Sequence, residues 1–157
     1  MNIRPATPED LESVARLYAE VFNEASPSEH WTFERALALF EYWLKRQPDL
    51  FFVAEEDGVI IGGIAANIKP WFDGNRFQDA ELFVHSNHKR KGLGTRLLAR
   101  ALEQAIEKYD AKTFEGITFA NTDFPQSWYD TLGLKKDEDL TVITGDCRAV
   151  LEVLKRR

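Results

Sequence analysis

Two rhythms of apolar positions run along this chain. Leu11, Val14, Leu17, Tyr18 and Val21 recur at the spacing of one helix face. Thr7 stands ahead of them as an N-cap, Pro8 suits the first helical position, and Asp10 falls in the first turn, where the helix dipole favours a carboxylate. A second stripe, Phe33, Leu37, Phe40 and Leu44, predicts a helix that starts at Thr32 and ends before Pro48. A third, through Leu97, Leu98, Ala101, Leu102, Ala105, Ile106 and Tyr109, predicts a longer one. Strand patterns lie between them. Residues 2–6 read as a short strand, and "FFVAEEDGVIIGGIAANI" as a hairpin, because Asp57-Gly58 is the pair that a tight primed turn prefers. The turn-rich "KPWFDGN" then leads into a long strand, "RFQDAELFVHS".

Further on, "TFEGITFA" predicts a strand and "FPQSWYDTL" a short helix with Gly133 as its C-cap. "LTVITG" reads as another strand. Asp146 can cap a terminal helix over 147–156, although "CRAVLEV" also fits a strand. Strands and helices in this mixed order, around a central strand–loop–helix unit, give a layered α/β (or α+β) domain with a mixed sheet. No repeat, low-complexity tract or linker divides the chain, so residues 1–157 are expected to form a single domain.

Composition narrows the class. The longest apolar stretch, Val59 to Ala66, is far short of a membrane span and is broken by Gly62 and Gly63, so no membrane role is expected. "MNIRPATPED" lacks the apolar core of a signal peptide. Cys147 is the one cysteine, which excludes a disulfide framework, and no Cys/His spacing suggests a metal site. These features favour a cytoplasmic location. A net charge of −6 argues against a general nucleic-acid binder and suits a cationic substrate, though it equally suits an ordinary acidic protein.

Against that acidic background, "HKRKGLGTRLL" (88–98) concentrates positive charge at the mouth of a helix. A helix N-terminus carries unpaired N–H groups and partial positive charge, and Gly92 and Gly94 let backbone approach a ligand closely. With Lys89, Arg90 and Lys91 around it, the turn fits a phosphate or pyrophosphate; otherwise it is a tight turn with solvated cations. A Walker loop would need Gly-Lys-Ser/Thr where Gly-Leu-Gly-Thr stands. A dinucleotide fingerprint would need glycine in place of Leu97.

The sequence resembles the GNAT superfamily of N-acetyltransferases over nearly its whole length. The likeness is carried by "IRPATPEDL", "LFVHSNHKRKGLGTRLL" and "SWYDTLGL". The family's signature, Gln/Arg-x-x-Gly-x-Gly/Ala, corresponds to Lys89-Arg90-Lys91-Gly92-Leu93-Gly94, fed by Leu82-Phe83-Val84. Lys89 replaces the usual Gln or Arg, and His85-Ser86 stands where Asp-Pro is common. The resemblance implies a three-layer domain whose mixed central sheet splits around acetyl-CoA. Backbone of Leu82, Phe83 and Val84 would pair with the pantetheine arm, and N–H groups from Arg90 through Leu93 and Gly94 to Thr95 would hold the pyrophosphate. It implies direct acetyl transfer to an amine, with Tyr129 as general acid toward the departing thiolate. Tyr129 is alternatively an aromatic packed beside Trp128. Asn121 matches an asparagine that contacts the cofactor, but the family spacing points instead to Thr122, and a plain turn residue fits as well.

For the base, the resemblance points to the strand holding Glu115, but Ile117 occupies the inner position there. Glu81 is the better candidate, directly or through a water. Alternation sets Asp79, Glu81, Phe83 and His85 on one face and Ala80, Leu82 and Val84 on the other. Carboxylates on a central strand are costly to bury without a task or a partner, and a salt bridge is the alternative for Glu81. Histidine is a residue type suited to a base at neutral pH, but His85 reads as a strand-end histidine. Trp31, Trp71, Phe72, Asp73, Asp79, Glu81 and "DED" (137–139) supply aromatic and acidic groups that suit a small cationic amine. The likeness is nearest to diamine or polyamine acetyltransferases. A protein N-terminus or lysine is the alternative acceptor, and a non-catalytic acyl-CoA sensor the alternative function. Homodimers are common among such relatives.

Overall fold

A computed structural model describes residues 1–26, 28–120 and 122–156. They form two compact units, Met1–Ile117 and Thr118–Arg157. In the first, β1 (Asn2–Pro5), α1 (Leu11–Ala25), α2 (Phe33–Arg46), β2 (Phe51–Glu56), β3 (Val59–Trp71), β4 (Gly74–Val84), α3 (Leu93–Tyr109) and β5 (Ala111–Glu115) follow one another. The sheet keeps chain order, β1-β2-β3-β4-β5. Its first three pairings are antiparallel, while α3 carries the chain across so that β5 runs parallel to β4. This is the mixed sheet that the sequence leads one to expect.

The helix starts follow from local chemistry. Asp10 does more than meet the dipole: it accepts the Thr7 N–H at 2.8 Å and a two-pronged Arg4 guanidinium at 2.7 and 2.8 Å. A short 3-10 turn, Pro8–Asp10, therefore precedes α1. Thr32 caps α2 by accepting the Arg35 N–H.

The apolar stripes of α1 and α2 meet one face of the sheet. Val14, Leu17, Tyr18 and Val21 pack with Phe40, Trp43, Phe51, Val53, Ala65 and Phe83. On the other face α3 lies over Phe52, whose ring is 4.6 Å from the Arg100 guanidinium. Helices, sheet and helix make three layers. Gly62 and Gly63 are what let those layers close. A Cβ on Gly62 would lie 3.4 Å from Leu97, and one on Gly63 would lie 2.6 Å from the Phe83 ring.

Both hairpins are tight. Asp57 and Gly58 have φ of 51° and 80°, the signs of a primed turn. The stretch "KPWFDGN" is not irregular, as its turn residues suggest. β3 runs through Pro70 to Trp71, and only Phe72 and Asp73 make the turn. Pro70 is tolerated because β2 pairs no further than Ala65, leaving that edge of β3 without a ladder.

The feature that shapes β4 is a bulge. Glu81 opposes Ala65 and Gln78 opposes Asn67, so Asp79 and Ala80 together face Ala66. Asp79 takes a left-handed φ of 55°. β5 pairs with β4 only from Asn75 to Gln78, so the ladder ends where the bulge begins. This corrects the reading of "TFEGITFA": the strand starts at Ala111 and stops at Glu115, because β4 bends away and leaves nothing to pair with.

The second unit holds α4 (Asp123–Thr131) and α5 (Cys147–Lys155). Phe124 is extended, so the regular helical turn starts beyond it. Gly133, at φ 83°, ends α4 as expected: its N–H bonds the Asp130 carbonyl and the Leu134 N–H bonds that of Tyr129. "LTVITG" forms no strand. Its β-branched residues have no neighbouring strand in this unit, and Val142 and Ile143 are exposed. The terminal segment is a helix. The Asp146 side chain accepts the Ala149 N–H at 2.8 Å, and the cap decides what periodicity left open.

Candidate active site

Three features converge on the end of β4. The first is the turn that follows it. The His85 ring accepts the Asn87 N–H, a 3-10 turn spans Ser86–His88, and Arg90 and Gly92 then adopt φ of 61° and 77°. Left-handed residues in such a turn aim backbone N–H groups toward a common point, and the first turn of α3 adds those of Leu93, Gly94 and Thr95, which have no carbonyl within the helix. A Cβ on Gly92 would meet nothing within 4 Å, whereas one on Gly94 would lie 3.9 Å from Leu82 and Val84. Gly92 thus faces open space beside the amides, while Gly94 settles α3 onto β4. Among the described residues, Lys89, Arg90 and Lys91 form no ion pair.

The second feature is an open strand edge. The His85 N–H bonds the Ile61 carbonyl, and Val84, Phe83 and Leu82 lie opposite Gly62, Gly63 and Ile64. Antiparallel ladders alternate bonded and non-bonded pairs, so Phe83 turns its backbone groups toward β3 while Leu82 and Val84 turn theirs outward. Beyond Gln78 no strand takes them up among the described residues. The Phe83 ring is spent on the core.

The third is an acidic, aromatic centre beside that edge. Tyr18, on α1, donates its hydroxyl to Glu81 Oε2 at 2.7 Å. Its ring stacks on Phe22 at 4.3 Å and meets Trp31, Phe40 and Phe83 edge-on at 5.1, 5.0 and 5.6 Å. Asn23 clamps the backbone of Trp31 through its side-chain amide, and the Trp31 indole N–H bonds Glu29 at 2.6 Å. Glu81 forms no salt bridge among the described residues; its partner is the phenol. Burial raises its proton affinity, the Tyr18 hydrogen bond opposes that, and the charges of Glu29 and Asp79 raise it further, leaving Glu81 above the ordinary carboxylate value. Burial and then the Glu81 charge hold the Tyr18 phenol firmly protonated, hence the donor.

Comparison with known proteins draws these features together. The acetyltransferase (GNAT) family matches residues 11–133. The chain belongs to the GNAT acetyltransferases. It is 30% identical to an uncharacterized N-acetyltransferase of Archaeoglobus fulgidus over 112 residues, 69% of this chain and 76% of the relative. It is 33% identical to the L-amino acid N-acyltransferase MnaT of Escherichia coli over 116 residues, 67% of this chain and 63% of that one. The fold is similar to that of AAC(6')-Iy, solved with the bisubstrate analog CoA-S-monomethyl-acetylneamine. That match has a TM-score of 0.72 at 21% identity and covers 93% of this chain and 98% of the other.

As a GNAT member the chain is an acyltransferase, and acetyl-CoA is its donor cosubstrate. The structure fits that donor: the open edge at Leu82 and Val84 suits an arm of amides, and the unpaired cations and amides at the helix mouth suit a pyrophosphate.

Not every predicted residue joins the centre. Glu81, Asp79 and Trp31 do. Trp71, Phe72 and Asp73 sit at the β3–β4 turn, where Lys69 lies over the Trp71 ring and Asp73 pairs with Arg76 at 3.0 Å, so Trp71 and Asp73 are already matched by cations of their own hairpin, while Phe72 is exposed. Glu115 is taken up by Arg76 and by Gln78, and Ile117 lies past the strand end, 73% exposed. His85 approaches Glu20 at 3.9 Å beside the turn. Tyr129 lies on α4, in the second unit, with its ring 5.1 Å from Trp128. The same unit holds the "DED" run and Thr122. Asn121 lies outside the described residues. Among the described residues no cluster of potential metal ligands occurs, and no helix is long and apolar enough to cross a membrane.

Sequence reasoning missed two members. Tyr18 fits its helical stripe and reads as core, which it also is. Glu29 lies in a segment without periodicity; its one signal is its place two residues before Trp31.

Proposed function

We propose that this protein transfers the acetyl group of acetyl-CoA to a primary amine of a small cationic molecule. The observation that carries the reading is Glu81: a half-buried carboxylate without a cationic partner among the described residues, held by Tyr18 next to the open edge of β4. An aromatic and acidic centre of this kind attracts an ammonium group, and a carboxylate of raised proton affinity can then take its proton.

Outward amides and carbonyls of Leu82 and Val84 hold the pantetheine arm, with Phe83 packing beneath them. Backbone N–H groups from Arg90 to Thr95, through Lys91, Gly92, Leu93 and Gly94, receive the pyrophosphate, and the side chains of Lys89, Arg90 and Lys91 add charge around it. Asn121, or Thr122 next to it in sequence, is assigned to the cofactor on the family pattern alone. The donor supplies an activated acyl carbon on a thiol leaving group. The ammonium first gives up a proton to Glu81, directly or through a water, and the neutral nitrogen then bonds to that carbon. The carbon–sulfur bond breaks with its electron pair on sulfur, Tyr129 protonates the thiolate, and the second proton shed by the new amide nitrogen restores the phenol. Residues 1–157 work as one transferase domain, a reading supported by the family match running from 11 to 133. A homodimer is the expected assembly, which sedimentation at rising concentration tests. The lone exposed thiol, Cys147, is in keeping with a cytoplasmic location.

The test is a panel of acceptors. Purified protein and acetyl-CoA are incubated with diamines, aminoglycosides, amino acids and lysine-bearing peptides, and thiol release is followed. Release that saturates with small cationic amines is expected. Release with peptides alone, or none above hydrolysis with any acceptor, contradicts the reading.

A further inference from the structure

We propose that Tyr18 is a positioning residue for acetyl transfer, whose hydroxyl fixes the Glu81 carboxylate and keeps it ionised while an amine is bound beside it. This rests on the reading of Glu81 as the base. The Tyr18 ring is 1% exposed and hemmed in by Phe22, Trp31, Phe40 and Phe83, so its hydroxyl has one direction to point. It points at Glu81 Oε2, leaving Oε1 without a hydrogen-bond partner among the described residues. One oxygen is anchored and the other is left for a proton.

Packing does not call for this hydroxyl. A phenylalanine would fill the same ring position, and a buried O–H is unfavourable unless it is used. The charged groups around Glu81 all work against ionisation. Glu29 faces it from the segment before α2, and Asp79 from its own strand. Glu20, on α1, approaches His85 at 3.9 Å, and α2 brings the uncharged Phe40. Tyr18 is the group that opposes them.

The experiment compares kcat/KM against pH for wild type, Tyr18→Phe and Glu81→Gln, using an amine that wild type acetylates. In the resting protein, carbon-13 NMR follows the Glu81 carboxyl titration without needing turnover. Tyr18→Phe is expected to melt near wild type and to bind coenzyme A normally. Its Glu81 titration and the acidic limb of its rate profile should both move up by about one pH unit. Its kcat should fall several-fold, with KM changed less. A titration and limb that stay in place in Tyr18→Phe overturn the role of Tyr18. An acidic limb that survives in Glu81→Gln overturns the base reading instead, even where the NMR shift is present, and the catalytic role of Tyr18 goes with it.

Discussion

Two phenols have opposite duties in the mechanism proposed for this enzyme. Tyr18, buried on α1, donates to a carboxylate and holds its proton throughout. Tyr129, on α4, is the residue proposed to give its proton up. Replacing Tyr129 with Phe removes only the O–H, so coenzyme A should bind within about twofold of wild type while kcat falls by about 10²-fold or more, the usual worth of a general acid. Calorimetry and steady-state rates check both; an unchanged kcat removes Tyr129 from the acid role. The pH dependence follows from Glu81. On the proposed reading transfer needs its carboxylate, and its proton affinity lies above the ordinary value, so activity should be lost on the acid side before a solvent-exposed glutamate would protonate. At this scale the sequence was readable where chemistry departs from pattern. Glu81 stands out as a charge on a central strand, whereas Tyr18 hides because an aromatic on an apolar stripe is what a core requires.

Among the elements, β4 decides the most. Alternation along "RFQDAELFVHS" predicts the strand and correctly sets Glu81 and Phe83 toward α1 and α2, with Leu82 and Val84 toward α3. It does not announce the bulge. A left-handed Asp79 is compatible with many sequences, and what fixes it here is pairing with β3 on one side and the loss of β5 on the other. The short β5 and the failed strand at "LTVITG" share that cause, since a strand needs a neighbour and propensity cannot supply one. The hairpin at Asp57-Gly58, the caps at Thr32 and Asp146, and the glycine stop at Gly133 were all legible because each is local. The glycine pair on β3 gives a sharp check on packing. In Gly63→Ala the new methyl would sit 2.6 Å from the Phe83 ring. The ring must move against Tyr18 and Phe40, at a cost of about 1–3 kcal/mol. In a domain of this size that lowers Tm by roughly 3–10 °C. Gly94→Ala, whose methyl would make ordinary contacts, should melt within about 2 °C of wild type. Calorimetric melting of the two variants tests the contrast; equal melting would show that Phe83 has room to yield.

For the whole molecule, the acidic balance and the basic turn belong together. With a net charge of −6, an enzyme that must hold a polyanionic donor concentrates cations at one turn, and the same acidity would favour the cationic acceptor proposed above. The bulge that frees the edge of β4 and the left-handed turn that opens α3 lie within fourteen residues of each other, between Asp79 and Gly92, so one short stretch builds both halves of the proposed donor site. The most direct measurement is calorimetric titration of coenzyme A into wild type and Gly92→Val. Valine at φ 77° is strained and places a branched side chain beside the amides. Wild type should bind with an affinity that weakens as salt rises. The variant, lowered in Tm by roughly 3–10 °C but folded at the titration temperature, should bind at least about tenfold more weakly. Equal affinity in the two proteins, or no association of wild type with any coenzyme A species, would contradict the donor site described for the turn before α3.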